Sequence, residues 1–236
     1  WRRAVAALDR SLIAGLGPFA GLSPADLDDL LQPARAMRFA KDATVFDQDG
    51  EARSFFLLLD GYVRVVRITP DGEQVIVRYI KDGELFGIAA AIGRTTYPAN
   101  AVCAVDCVVL AWPNERWKDL VERFPSFGRN TYQTIGSRLQ ETHDRMMEMS
   151  TEQVTQRVAH AVLRLAHQTG RKTAEGVEID FPISRQDIAE MTGTTLHTVS
   201  RLLSAWEERG VIRSGRQKVI VTDPHRLMLI AENRGS

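Results

Sequence analysis

Three polar side chains near residue 200 have the types and the spacing needed to read DNA bases. In MTGTTLHTVSRLL (191–203), His197, Ser200 and Arg201 lie three and then one residue apart, which places them on one face of a helix. An arginine guanidinium donates two parallel hydrogen bonds to guanine O6 and N7, while Ser and His reach base edges or phosphates. The alternative is an ordinary solvated face, opposite an apolar stripe of Val199, Leu202, Leu203 and Trp206.

The residues ahead of this helix predict a shorter one. Ser184 is followed three residues later by Asp187, the pattern of a capping box, which predicts a helix over 185–191. A tight turn at 192–194 contains a glycine, and Thr195 is a good N-cap for the helix that follows. Two helices joined by such a turn are typical of a helix-turn-helix.

The flanking residues extend this unit. The second helix is expected to end at Arg209, with Gly210 at the C′ position, and VIRSGRQKVIVT (211–222) predicts a β-hairpin. A short strand is expected at 179–183. This order predicts a winged helix-turn-helix and favours DNA binding over a solvated helix face. The hairpin adds three basic side chains, Arg213, Arg216 and Lys218.

Between residues 40 and 112 the pattern changes to short strands. Asp-Gly pairs recur every 11 residues, at 49–50, 60–61, 71–72 and 82–83, and Asp-Gly is a strong hairpin-turn signal. Strands at this spacing predict a sandwich or barrel, and Ser23-Pro24 predicts a capped helix in front of it. The expected strands are 54–59, 62–68, 74–80 and 101–112.

An apolar repeat of alternating three and four residues follows the β region. It predicts a long helix whose a/d stripe packs on a second copy of the chain, so we expect a homodimer. Ordinary amphipathic helices can produce the same short stripe. The seam residues are Tyr132, Ile135, Leu139, Thr142, Met146 and Met149.

A further helix is predicted after the seam. Residues 150–153 have the pattern of a capping box that starts it, and Gly170 is expected to stop it, with a polar loop over 168–176. The predicted domains are 1–124, 125–150 and 151–236.

Composition narrows the function classes. The chain has 236 residues, 44% of them hydrophobic, and no net charge. No apolar run is long enough to span a membrane and residues 1–20 show no export signal, so no membrane association and a cytoplasmic location are expected. Two cysteines are too few for a disulfide framework. Nucleophile-elbow, phosphate-loop, dinucleotide and HExxH motifs are absent, so we expect a non-enzyme.

Taken in order, these elements resemble the cyclic-AMP receptor protein/fumarate-nitrate regulator (CRP/FNR) family of bacterial transcription factors, most specifically in ISRQDIAEMTGTTLHTVSRLL (183–203). The resemblance implies an α+β fold: an N-terminal β-roll (jelly-roll, cyclic-nucleotide-binding-like) sensor domain, a long dimerisation helix and a C-terminal winged helix-turn-helix. It also implies a homodimer on a roughly palindromic site in double-stranded DNA, with RNA polymerase as a partner if the protein is an activator.

The same resemblance assigns roles to side chains. Arg201 would read guanine, with Ser200 and His197 as further base contacts. The family usually has a Glu in the place of His197, accepting from a cytosine amino group, so the base preferred there is left open. The implied phosphate contacts are Ser184, Arg185, Gln186, Thr195, Thr198, Arg216 and Lys218.

Within that family, TGTTLHTVSR (192–201) followed by LSAWE (203–207) is similar to the NnrR-like regulators of denitrification genes. This similarity implies nitric oxide or a related nitrogen oxide as the effector.

The sensor region departs from relatives that bind cyclic AMP. Those relatives have a Glu after the Gly of an FG motif and an Arg-Ser pair later in the loop, where FGIAAAIGRTTYPAN (86–100) has Ile88 and Pro98-Ala99. A buried phosphate without a charged partner is strongly unfavourable, so cyclic AMP is not expected. The candidate effector pocket comprises Phe86, Gly87, Ile88, Tyr97, Pro98 and Cys103.

Cofactors are constrained by the cysteines and histidines. Two cysteines are too few for an oxygen-sensing iron–sulfur cluster. On one strand, Cys103 and Cys107 would share a face, as buried core residues or as a sensing thiol pair. A haem is possible through His143 or either cysteine. The alternatives left open are a cyclic-nucleotide-controlled regulator, an effector-independent regulator, and a β-roll enzyme, which the lack of His within 1–142 disfavours.

Overall fold

The structure is a computed structural model that describes residues 8–234. Residues 1–7, at the start of the predicted first domain, and 235–236, at the end of the third, lie outside the described residues. The chain divides into two compact units, 1–68 with 79–139 and 69–78 with 140–236.

Two four-stranded sheets form the β region, which confirms the predicted sandwich. Every strand pairing described in it is antiparallel. The strands are β1 Arg35–Phe39, β2 Thr44–Phe46, β3 Ser54–Asp60, β4 Val63–Ile68, β5 Gln74–Ile80, β6 Leu85–Phe86, β7 Asn100–Cys103 and β8 Cys107–Pro113. One sheet has the order β1-β8-β3-β6 and the other β2-β7-β4-β5.

The Asp-Gly turns form where they are predicted. In each of them one residue of the pair has a positive φ, which Asp and Gly adopt more readily than other residues. Gly61, Gly72 and Gly83 have φ values of +98°, +84° and +78°, while at the first pair Asp49 takes this role with +62°. At Gly61 a Cβ would lie only 2.6 Å from the carbonyl oxygen of Asp106, so the close approach of two chain segments also requires glycine.

The single strand predicted over 101–112 is wrong. The chain forms β7 and β8 there, in different sheets, with a bend at 104–106. The backbone N–H of Ala104 donates to the Tyr62 carbonyl and the Asp106 carboxylate accepts from the backbone N–H of Lys41, both at 2.8 Å. Satisfying these groups turns the chain from one sheet to the other.

Three helices complete the first unit and cover one sheet: α1 Pro24–Leu31, α2 Trp117–Arg123 and the start of α3 Pro125–Thr151. Ser23 caps α1 through a capping box, as predicted. Beneath these helices the Trp112 indole N–H donates to the Leu30 carbonyl at 2.8 Å. The core at this face is aromatic, with Phe19, Phe55, Trp112, Trp117 and Phe127.

Helix α3 leaves most of the predicted seam exposed. Tyr132, Leu139, Met146 and Met149 have 51%, 55%, 60% and 49% of their surface accessible, and Thr142 is exposed as well. Ile135 differs from the other seam residues, because it is half-buried and packs against the core of the first unit.

The second unit is a small α/β domain with one four-stranded sheet in the order β11-β12-β10-β9. Its elements are α4 Val154–Thr169, β9 Gly170–Thr173, β10 Gly176–Ile179, α5 Arg185–Thr192, α6 Leu196–Glu208, β11 Ile212–Gly215, β12 Lys218–Val221 and α7 Pro224–Ala231.

Three local predictions in this unit are corrected. Helix α3 continues to Thr151, and the capping box of α4 is formed by Gln153 with Gln156, because a Gln side chain accepts and donates as Ser and Glu do. The loop predicted over 168–176 is the end of α4 and the β9–β10 hairpin. The strand predicted over 179–183 ends at Ile179, since the chain must leave the sheet to start α5.

Candidate nucleic-acid interface

Helix α5 is fixed at its start by Ser184 and Asp187, as predicted. The Ser184 hydroxyl and backbone N–H each donate to the Asp187 carboxylate at 2.7 Å, and the Asp187 N–H donates to the Ser184 hydroxyl at 3.0 Å. The backbone groups that an isolated helix would leave unpaired are thereby satisfied. Ser184 is half-buried, so its hydroxyl is committed to the cap.

The turn between α5 and α6 needs a glycine at position 193. Gly193 has φ +60° and its N–H donates to the Ala189 carbonyl, which ends α5 in the left-handed conformation. A Cβ at this position would lie 2.7 Å from the terminal methyl of Met149, so the end of α3 packs against the turn. From α4, the Arg157 guanidinium donates to the Thr192 carbonyl at 3.2 Å.

Helix α6 is capped and anchored so that one face points to solvent. Thr195 accepts from the backbone N–H of Thr198 at 3.2 Å, and the two hydroxyls lie 3.0 Å apart. Val199, Leu203 and Trp206 are buried, whereas Leu202 is only half-buried. On the opposite side His197, Arg201 and Ser204 are exposed and Ser200 is half-buried.

Some basic side chains of α6 and of the β11–β12 hairpin have partners within the protein, and others do not. Within residues 8–234, the side chains of Arg201, His197 and Arg216 make no hydrogen bond or ion pair. A guanidinium without an internal partner can donate to a base or phosphate at no cost in internal bonds. The structure therefore leaves the predicted guanine-reading arginine available.

Arg185, a predicted phosphate contact, is already engaged. Its guanidinium donates to the Ser214 hydroxyl on β11 at 3.1 Å, and this hydroxyl donates to the Glu207 carboxylate at 3.0 Å. The backbone N–H of Ser214 lowers the pKa of Glu207, with further contributions from the Ser214 hydroxyl, Arg185 and Arg213. Glu207 therefore stays ionised and connects α5, α6 and the β11–β12 hairpin, here called the wing.

Two more of the predicted phosphate contacts also have internal partners. The Lys218 ammonium lies 3.0 Å from the Glu178 carboxylate on β10, and Gln186 donates to Glu190 at 2.9 Å. Neither Glu178 nor Glu207 is recognisable from the sequence as part of this site, because Glu178 meets Lys218 only through sheet pairing and Glu207 meets Ser214 across a turn. These carboxylates offset the basic charge next to α6.

Three of the predicted sensor pocket residues, Phe86, Tyr97 and Cys103, are buried together between the two sheets. Ile88 is buried in the other core cluster, beneath the helices, and Pro98 is exposed, so neither joins them. Gly87 has φ +64°, and a Cβ on it would lie 2.9 Å from the Phe46 ring.

Two phenylalanines that the sequence did not single out fill this interior. The Phe46 ring stacks on Tyr97 with centroids 3.8 Å apart, and Phe56 lies 5.2 Å from Phe86. The Tyr97 hydroxyl donates to the Ser54 carbonyl at 2.7 Å, which holds its ring in the stack, and burial raises its pKa. These four rings pack between the two sheets.

Comparison with known proteins places both units. Residues 36–124 match the cyclic nucleotide-binding domain family, and residues 156–230 match the Crp-like helix-turn-helix domain family. The cyclic AMP receptor protein of Thermus thermophilus is 30% identical over 213 residues, which cover 90% of this chain and 95% of that protein. The chain belongs to the CRP/FNR family.

Further relatives agree with this assignment. The nitrogen fixation regulation protein FixK of Bradyrhizobium diazoefficiens is 27% identical over 89% of this chain and 87% of its own. The structure of FixK2 from Bradyrhizobium japonicum has the same fold, with a TM-score of 0.74 and 23% identity over 84% of this chain and 96% of that one. These CRP/FNR relatives are transcription regulators and not enzymes, and this chain is a DNA-binding transcription regulator.

The cysteines of this CRP/FNR protein lie on two strands, so the prediction that they share a face of one strand is wrong. Both are buried, Cys103 on β7 and Cys107 at the start of β8, and the Cys107 thiol donates to the Tyr62 carbonyl at 3.4 Å. A hydrogen bond with the Cys107 thiol, together with burial, raises the pKa of Cys103.

The described residues hold neither a metal-binding cluster nor a membrane-spanning helix. Across residues 8–234, no group of three His, Cys, Asp or Glu side chains is arranged to bind a metal ion. No helix in the same range is both long and apolar enough to cross a membrane.

Proposed function

We propose that this CRP/FNR protein binds a roughly palindromic promoter site as a homodimer, with one α6 in each of two major grooves about 34 Å apart. The observation that carries this proposal is the face of α6, opposite the buried Val199 and Leu203. On this face His197 and Arg201 are exposed, and their side chains have no partner within residues 8–234. Selection of bound duplexes from a randomised library, followed by footprinting on the selected sequence, tests the proposal. Protection of two half-sites one turn apart supports the proposal, and protection without sequence preference contradicts it.

The exposed stripe of α3 supports the dimer. Tyr132, Leu139 and Met146 are large apolar side chains exposed on α3. Covering them with a second helix removes apolar surface from water and favours the dimer. Leu139→Glu should shift the protein to monomers in sedimentation equilibrium, because it places a charge in the seam. Ser137→Glu, which adds the same charge on the opposite side of α3, is the matched control. A wild-type monomer at micromolar concentration would contradict the dimer.

We propose that the effector of this protein is a nitrogen oxide and that the protein controls denitrification-type genes. If the protein activates transcription, RNA polymerase is a further partner. Similarity of TGTTLHTVSR (192–201) to nitrogen-oxide-responsive regulators suggests it. It is supported by the interior of the sandwich, whose buried cluster contains two thiols, Cys103 and Cys107. Among residues 8–234, no charged side chain is fully buried. A small uncharged gas can enter such an interior, whereas a cyclic phosphate would lack a counter-charge. Calorimetry with cyclic AMP should show no binding.

A nitric oxide donor provides the direct test of the effector. Anaerobic exposure to the donor should change affinity for the footprinted site in a mobility-shift titration, and Cys103→Ser should reduce the change. The stacked aromatic rings between the sheets disfavour a haem there, so a haem, if bound, would take the exposed His143 as its ligand. A Soret band that shifts with nitric oxide would point to that location.

The second candidate is a regulator of the same sites that needs no effector. The stack of Phe46 on Tyr97 favours it, because side chains of the protein itself occupy the space where an effector would bind. In that case the affinity for DNA is the same with and without the donor, which distinguishes this candidate from the first.

A further inference from the structure

The second unit contains a cavity of about 610 Å³, away from the face of α6. It lies between α4, the β9–β10 hairpin, the end of β12 and the start of α7. Its volume is in the range of small-molecule sites in proteins. The apolar lining comes from Leu163, Ala166, Val177, Val221, Pro224 and Met228.

The cavity follows from how α4 joins the sheet. Val158, Val162 and Leu165 bury one face of α4, which leaves the face bearing Leu163 and Ala166 uncovered. At Gly170 the chain passes from α4 directly into β9, and a side chain there would collide with the Ala166 carbonyl and with Val177. This tight junction fixes the distance between helix and hairpin and keeps the hollow beside it open.

The rim of the cavity is basic. His160, Arg164, His167 and Lys172 line it, and none of the described residues that line it is acidic. Two of these groups are balanced, since His160 lies 3.4 Å from Glu152 and Arg164 pairs with Glu148. In the part of the chain that the structure describes, His167 and Lys172 have no such partner, and both are exposed.

We propose that this cavity binds an amphipathic organic anion, with its apolar body against Leu163, Val177 and Met228 and its carboxylate at Lys172 and His167. An apolar body gains from leaving water, and a carboxylate gains charge-assisted hydrogen bonds from the ammonium. A cation of the same shape would meet, at the rim, Lys172, which has no acidic partner among the described residues. Charge therefore selects the occupant, and the assignment does not depend on the function proposed for α6.

Calorimetry of the full chain with octanoate, octylammonium and octanol tests the proposal. Octanoate should bind one molecule per chain, with octylammonium at least about tenfold weaker. Lys172→Ala should weaken octanoate about fivefold to tenfold, because it removes the unpaired cation. Lys118→Ala is the matched control, since Lys118 is also an exposed lysine, lies on α2 outside the cavity lining, and should leave binding unchanged.

Two further variants separate loss of the site from loss of the fold. Ala166→Phe should fill the cavity and abolish binding, and Met228→Glu should abolish it by placing a negative charge on an exposed side chain of the lining. Both should keep wild-type DNA binding. Absence of octanoate binding to the wild type, or equal binding of the three probes, overturns the proposal. So does a change of sedimentation coefficient in Met228→Glu or Lys172→Ala, because this face would then be an interface between copies.

Discussion

Glu207, at the end of α6, accepts hydrogen bonds from both the backbone N–H and the hydroxyl of Ser214 on the wing, at 2.9 and 3.0 Å. One carboxylate thus sets the position of the wing against the helix that faces DNA. Arg185 donates to the same hydroxyl from α5, so three elements meet at Ser214.

Glu207→Ala should loosen this junction. We expect the free energy of unfolding to fall by about 1 kcal/mol, since the Ser214 N–H and hydroxyl lose their acceptor. Affinity for DNA should fall as well, because the wing is no longer held. Urea unfolding and fluorescence anisotropy measure the two effects. Glu208→Ala, which removes the neighbouring exposed carboxylate, is the control and should change neither by as much.

The contribution of Glu207 should also depend on pH. The Ser214 N–H lowers its pKa from the ordinary value of 4.5, so the folded state binds its proton less readily than the unfolded state. The stabilisation is therefore present above pH 4.5 and is lost as the pH falls through the lowered value. The difference in unfolding midpoint between wild type and Glu207→Ala should be constant above this range and shrink below it. A difference that grows on acidification would contradict this.

Arg201→Ala should weaken binding to the specific duplex by about 1–3 kcal/mol and relax the preference for one guanine. Thermal stability should not change, because Arg201 has no internal partner among residues 8–234. Anisotropy titrations on specific and random duplexes distinguish a base contact from a phosphate contact. Arg216→Ala is the comparison, since it should weaken both duplexes alike and reduce the salt dependence. An equal loss on both duplexes for Arg201→Ala would identify a phosphate contact.

His197→Glu should change the preferred base at one position of each half-site. A carboxylate accepts from the cytosine amino group, whereas a neutral imidazole offers one donor and one acceptor. Selection from a randomised duplex library should show cytosine enriched in the variant. Ser204→Glu adds the same charge on the same exposed face and controls for simple repulsion by phosphates. If both variants only lose affinity, His197 does not select a base.

Gly87→Ala should destabilise the sensor domain more than Gly93→Ala does. Both glycines have positive φ, +64° and +68°, so both variants have similar backbone strain. Only at position 87 would the new methyl meet aromatic rings, at 2.9 Å from Phe46 and 3.0 Å from Phe56. We expect Gly87→Ala to cost about 1–3 kcal/mol more, as overpacking of a core does. If thermal unfolding shows the same loss of stability for both variants, the rings of Phe46 and Phe56 can move aside to accommodate the methyl group.

Local chemistry made much of the fold predictable. Gly61, Gly72 and Gly83 need a positive φ whatever surrounds them, and Ser184 and Thr195 satisfy backbone groups within three residues of themselves. Such signals depend on neighbours in sequence, and the structure confirms them.

Contacts between distant residues could not be predicted in the same way. The spacing of Ile135 fits a seam, but its side chain packs against the core of the first unit. Phe46 and Phe56 lie on separate strands, and their stacking with Tyr97 and Phe86 depends on how two sheets face each other. Lys218 forms its ion pair with Glu178 only because β10 pairs with β12. Spacing along the chain carries no information about these partners.

Met149 and Gly193 share one small volume at the junction of the long helix and the DNA-binding turn. A larger residue at 193 would displace the methyl of Met149, and a branched residue at 149 would press on the turn. A side chain at 193 therefore requires Met149 to change its rotamer or to be replaced by a shorter residue. In an alignment of close relatives, a loss of glycine at 193 should coincide with a shorter side chain at 149.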